Sequence, residues 1–193
     1  MFTGRWQWNF LGRDVPFTQS DIKYTPRTIA SFALAGASNR GRFTRWSSSG
    51  GGQLPGFSAG APGQYKTEQW MAEFALMRRG LSLQGEYHYK QVDDTVNNEI
   101  TELDGIYAQV GHFFHEIFDV VPKKLEFALR FARVDSEQGV EVPADREATF
   151  VSNFFFAGHD NKLTADLSYL ESTLPGGAED DGWRVRLQWD ISF

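Results

Sequence analysis

The stretch WRVRLQWDISF, residues 183–193, decides how the rest of the chain is read. Trp183, Val185, Leu187, Trp189, Ile191 and Phe193 share one parity, and Arg184, Arg186, Gln188, Asp190 and Ser192 share the other. An extended strand sends successive side chains to opposite faces, so this one carries an apolar face and a charged face. Chain ends fray into solvent unless something holds them, yet this stretch runs to a final Phe. A strand with one aromatic, apolar face and one charged face suits a barrel with lipid outside and water inside.

The composition fits that expectation and removes others. At 193 residues the chain has the length of one domain. Hydrophobic residues make up 41%, mean hydropathy is −0.41, and no apolar run approaches the roughly 18 residues of a spanning helix. A barrel is invisible to such averages, because every second residue of each strand meets water. Aromatic content is 15%, with 17 Phe and 6 Trp, enough for aromatic girdles at two membrane interfaces. With no cysteine there is no disulfide framework, thiolate metal site or Cys nucleophile. The net charge of −6, with no basic stripe, argues against nucleic acid as a partner.

Eight further alternating segments lie upstream. Residues 2–10 put Phe2, Trp6, Trp8 and Phe10 opposite Arg5, Gln7 and Asn9. Strands are expected at 28–37, 69–77, 81–91, 101–114, 124–134, 148–156 and 162–170. Arg78-Arg79-Gly80 and Gly158-His159-Asp160-Asn161 read as tight turns. Residues 12–27, with Pro16 and Pro26, and 115–123, with Pro122, read as connections. Longer polar loops are expected at 38–64, from Val92, at 135–147 and at 171–182. The expectation is an all-β fold, a transmembrane antiparallel β-barrel of about nine strands. With residue 193 at the periplasmic end, the long loops fall outside the cell, as in outer-membrane barrels. The odd count and the absence of a leader before Met1 point to a portion of a larger barrel, since single-chain bacterial barrels have even counts. Residues 2–10 and 183–193 would run in the same direction, so they are not each other's antiparallel partners.

Several segments now point to a family. WQWNFLGRDVPFTQSDI, ALMRRGLSLQGEY, KKLEFALRFARVD, NFFFAGHDNKLTADLSY and VRLQWDISF resemble the C-terminal half of the phosphate-selective porin O and P family. The resemblance extends over nearly all of the chain. It implies a bacterial outer-membrane location and a trimer of roughly sixteen-stranded barrels that pass small solutes, phosphate-like anions included, through a constricted pore. It implies membrane lipid and lipopolysaccharide as surroundings, and either a homotrimer or a completing barrel half as partner. The final Phe193 resembles the signal by which outer-membrane proteins are inserted.

If the alternation holds, the polar wall includes Arg5, Glu73, Glu86, His88, Lys90, Glu126, Arg130, Lys162, Asp166, Arg184, Arg186 and Asp190. Both signs are present, so cross-strand pairing that stiffens the wall competes with a role as a charged filter. In the loop after residue 38, Arg40, Arg42 and Arg45, interleaved with Phe43 and Trp46, form a positive patch. That patch could recruit anions to a pore or meet lipopolysaccharide phosphates. His112 and His115 have a metal-like spacing, but on a strand they point to opposite faces, and no metal or cofactor is expected. Ser82, Glu86 and His88 share a face as any alternating residues do. No nucleophile elbow, phosphate loop or zinc motif occurs, so an enzyme is not expected. The competing reading is a soluble antiparallel β-barrel binding a small apolar ligand or a carbohydrate, with the two faces exchanged.

Overall fold

The computed structural model describes residues 1–192 apart from 13–14, 16–17, 48–49, 55, 138–144 and 174–177, and apart from the side chains of 46, 47, 50, 51, 136, 137 and 145. Phe193, the indole of Trp46 and the tips of the loops expected at 135–147 and 171–182 lie outside the described residues.

The chain forms β1 (Phe2–Leu11), β2 (Ile29–Gly41), β3 (Arg45–Ser47), β4 (Gly50–Gly52), β5 (Tyr65–Arg78), β6 (Leu81–Asp94), β7 (Glu99–His112), β8 (Leu125–Glu137), β9 (Asp145–Ala157), β10 (Asn161–Thr173) and β11 (Glu179–Ile191). A 3-10 turn, Phe114–Glu116, follows β7. Nine strands make one sheet in the order β1-β2-β5-β6-β7-β8-β9-β10-β11, and every neighbouring pair is antiparallel. The strands β3 and β4 form a separate short hairpin. The sheet is open, with β1 and β11 at its edges and running in the same direction. A 13-residue strand such as β11 spans about 43 Å, or about 30 Å of vertical rise at a 45° tilt.

The two faces differ as the alternation requires. Val185 (80% exposed), Leu187 (71%) and Trp183 lie bare on one face, with Trp6, Leu34, Trp70, Leu129 and Phe150. On the other, Ser168 (0%), Asp166 and Thr149 are buried although polar. Side chains converge on the concave side of a curved sheet, so the polar face is the inner one.

Strands run further than the sequence pattern shows at the loop end, the end of the sheet that carries residues 42–64. The loop expected from 38 begins only after Gly41, and β5 starts at Tyr65, four residues before the expected 69. The loop expected from Val92 is a tight turn over 95–98, between a β6 that reaches Asp94 and a β7 that starts at Glu99. Asp94 builds that turn by accepting hydrogen bonds from the backbone N–H groups of Val96 and Asn97 and from the Asn97 amide, while Asn98 takes a positive φ of 57°. The alternation fades because the outer face becomes charged there. Lys66 pairs with Glu68 at 2.9 Å, Arg133 with Asp135, and Arg146 with Glu171 at 3.7 Å. Just below these pairs stand Trp70, Tyr87 and Tyr89, with ring centroids 5.2 and 5.8 Å from that of Trp70, and Tyr169 beside Trp183 at 5.1 Å. This is an aromatic girdle with ionic strands above it.

The opposite end, the turn end, carries the tight connections at 79–80 and 158–160. Its inner side holds a small aromatic core: Phe113 and Phe155 (5.6 Å between centroids), Tyr24 against Phe113 (5.3 Å) and His159 against Phe155 (5.5 Å).

Candidate channel wall

Backbone register decides which side chains share a face. Starting at β11, Arg186 faces Asp166, Arg184 faces Ser168 and Asp190 faces Lys162. Across β9 and β8 the same face continues through Thr149 and Asn153 to Arg130 and Glu126. It passes Gln109 and Tyr107 to Gln84, Glu86, His88 and Lys90, and reaches Glu73 and Arg5 through Ala33 and Ala35. All twelve residues expected on the polar wall therefore share one face of the sheet.

Most of these charges are paired across strands. Arg186 Nε donates to Asp166 at 2.7 Å, Arg184 reaches Glu147 at 3.0 Å, and Arg5 binds Glu73 at 2.9 Å. Lys162 stands 3.6 Å from Asp190. Glu86 and Glu73 face each other directly, a repulsive placement offset by separate partners: Arg5 on Glu73, and His88 Nε2 (2.8 Å) with the Tyr107 hydroxyl (2.6 Å) on Glu86. Glu126 is only 1% exposed, and its Oε2 accepts from Ser20 Oγ (2.8 Å) and Asn153 Nδ2 (2.9 Å).

Two cations of the wall have no carboxylate partner among the described residues. The Arg130 guanidinium lies 4.8 Å over the ring of Tyr107, and Lys90 Nζ donates to the Thr44 carbonyl at 2.6 Å. The Lys90 contact shows that the described part of the segment around Thr44 folds inward over the loop end. Thr44 (0% exposed), Tyr65 and Val92 are buried there. Gln53 ties the fold together by accepting from the Thr44 N–H and hydroxyl and donating to the Arg42 carbonyl. The three arginines expected to form one patch are separated. Arg40 sits on the outer-face parity and donates to the Gly63 carbonyl, Arg42 lies over Phe43, and Arg45 comes near Lys90.

The histidines go separate ways. His112 ends β7 with its ring against Phe114. His115 lies in the connection expected at 115–123, on the 3-10 turn. There the Tyr24 hydroxyl stands within hydrogen-bond reach of both the Lys123 carbonyl, at 2.8 Å, and His115 Nδ1, at 2.9 Å. Burial, with the nearby charges of Glu116, Asp21 and Glu126, pushes the Tyr24 phenol up to about 12 and keeps it a donor.

The connection after β1 is more than a linker, and periodicity alone did not reveal this. Ser20 and Asp21 are buried, and Asp21 accepts from the backbone N–H groups of Thr25 and Gly80 and from the Thr25 hydroxyl. The Arg79 N–H donates to the Thr25 carbonyl. The only sequence signal was Asp21 placed four residues before Thr25, a spacing that suits a self-bonded turn. The strap, residues 18–25, thus lies on the inner face at the turn end. With Arg130, Lys162, Asp166 and Arg186 it borders a polar groove of about 520 Å3.

Searches of curated proteins and of solved structures return no match. A family model described as phosphate-selective porin O and P matches residues 56–174, from the inward-folded segment through the end of β10. That match covers more than half of the chain and takes in six strands, β5 to β10, of the nine-stranded antiparallel sheet, apolar on one face and charged on the other. The chain belongs to the phosphate-selective porin O and P family.

Proposed function

We propose that this chain forms part of the wall of an outer-membrane porin that lets small, preferentially anionic solutes diffuse through a water-filled lumen. The observation that carries the proposal is the division of the sheet: ion pairs such as Arg186–Asp166 on the inner face, bare Leu187 and Val185 on the outer. A soluble barrel that binds an apolar ligand needs the opposite arrangement. The loop end is assigned to the cell exterior and the turn end to the periplasm. Since β1 and β11 are parallel edges, antiparallel closure requires strands beyond these nine, from further chain or from a partner. The charged outer collar at Lys66, Arg133 and Arg146 is placed at headgroup height, where lipopolysaccharide would lie, and a trimeric assembly is what family membership implies.

The preference for anions rests on pairing. Arg5, Lys162, Arg184 and Arg186 are matched by carboxylates, whereas among the described residues Arg130 and Lys90 are not. Glu86 and Glu126 likewise have no Arg or Lys partner among the described residues, but Glu126 is sealed from solvent and Glu86 is hydrogen-bonded by Tyr107. The exposed Arg130 guanidinium is therefore the positive charge that a mobile anion meets. The test is the reversal potential of the complete pore-forming assembly in a planar bilayer under a KCl gradient. Wild type is expected to favour chloride, and Arg130→Ala to lower the anion-to-cation permeability ratio. A protein that stays soluble without detergent, or a reversal potential unchanged by Arg130→Ala, refutes the respective half of the reading.

A further inference from the structure

We propose that the strap, residues 18–25, is a fixed internal constriction that sets the size limit of the channel at its turn end. This rests on the porin reading above. The strap leaves the sheet between β1 and β2, yet Ser20 is bonded to Glu126 on β8, 106 residues away in sequence. Four strand spacings separate β2 from β8 in the sheet order, about 19 Å measured along the sheet. A segment that only joined two neighbouring strands would have no cause to reach that far. Because Glu126 belongs to the inner face, a bond to its carboxylate puts Ser20 inside the curve of the sheet, not below its rim.

The fastening is specific. Glu126 Oε1 lies where a Cβ on Gly111 would meet it at 2.6 Å, so the carboxylate fits only because residue 111 is glycine. Asp21 holds the strap to the β5–β6 turn through the Gly80 N–H, and Tyr24 holds it to residues 115 and 123. Anchored on β8, on the β5–β6 turn and on the connection between β7 and β8, the strap is a chord across the mouth. Thr18 and Gln19 border the groove shared with Arg130 and Lys162. Gln19 is exposed, so its side chain is the part of the strap that a passing solute meets.

The absence of cysteine makes a direct test possible, since a single introduced thiol is the only reactive one in the chain. The complete assembly carrying Gln19→Cys is reconstituted in a planar bilayer and treated with a cationic methanethiosulfonate reagent. Conductance is expected to fall by about twofold or more, as a group added at a constriction should do, while the same reagent on Leu187→Cys leaves it unchanged. Ser20→Ala, which frees the strap from Glu126, is expected to raise conductance. If the thiol introduced on the strap is labelled, as shown by mass, and conductance does not change, the strap is no constriction. The same follows if that thiol cannot be labelled from the lumen. A wild-type assembly that carries no current overturns the porin reading and this proposal together, so the two failures are told apart by the untreated control.

Discussion

In Gly111→Ala the added Cβ meets Glu126 Oε1 at 2.6 Å, Ser82 Oγ at 2.9 Å and Glu126 Cδ at 3.1 Å. Glu126 is 1% exposed and fixed by Ser20 and Asn153, so its carboxylate must retreat by several tenths of an ångström from both donors. A hydrogen bond to a charged group contributes a net 1.5–3 kcal/mol or so, and losing one of the two costs about 2 to 3 kcal/mol. Equilibrium urea unfolding from lipid vesicles, followed by heat-modifiable gel mobility, is the assay, and the midpoint is expected to fall with little change in slope. The double variant Gly111→Ala, Glu126→Ala separates cause from coincidence. Without the carboxylate only the Ser82 hydroxyl, at 2.9 Å, stands in the way, and it can rotate into the freed space, so the added cost should drop below about 1 kcal/mol, a strong coupling between neighbours. A Gly111→Ala midpoint equal to wild type refutes the reasoning, as does a penalty of the same size with and without Glu126.

Leu187→Arg places a cation at a position 71% exposed on the apolar outer face; a loss of about 2 to 4 kcal/mol in vesicle unfolding is expected at mid-bilayer depth, and a neutral effect contradicts the lipid-facing assignment. Lys90→Met removes the anchor to the Thr44 carbonyl, so proteolysis within residues 42–64 should speed up in intact vesicles; unchanged cleavage shows that the inward fold does not depend on it. His159, in the turn between β9 and β10, has its pKa lowered by burial and then by Lys162, against the pull of Asp160. The unfolded chain then binds a proton that the folded one resists, so stability present above about pH 6.5 is lost as pH falls below it. His159→Gln should remove that component, and identical pH profiles for the two proteins rule it out.

Alternation was legible wherever the two sides of a strand meet different solvents. In β11, Trp183 to Ile191 alternates without a fault, because one face is bare and apolar and the other carries paired charges. The same contrast placed all twelve wall residues on one face, since a strand's parity carries through each antiparallel register. Contrast is also why strand ends at the loop end were missed. At Lys66, Glu68, Arg133 and Asp135 the outer face is as polar as the inner, and a hydrophobic pattern has nothing left to report while backbone pairing continues. The turn after Asp94 could have been read from Asp94 and Asn97 as a self-bonded turn, but a run of polar residues looks the same whether it loops or turns.

The strap was hidden for a different reason. Periodicity describes a residue by its neighbours in the chain, and the Ser20–Glu126 bond joins residues 106 apart. By alternation Glu126 is one more water-facing acid, interchangeable with Glu73 or Glu86. The structure distinguishes it, because it alone of the three is sealed from solvent, with its room provided by Gly111 and its donors by Ser20 and Asn153. A sealed carboxylate costs desolvation that a solvated wall charge does not. In a wall where ion pairs suffice for rigidity, holding such a group has a physical rationale when it fastens something across the opening. That is why Ser20→Ala is the sharper companion to Gly111→Ala. Both act on the same carboxylate, but only the first frees the chord without disturbing the packing of β7 against β8, so it should change conductance more than stability.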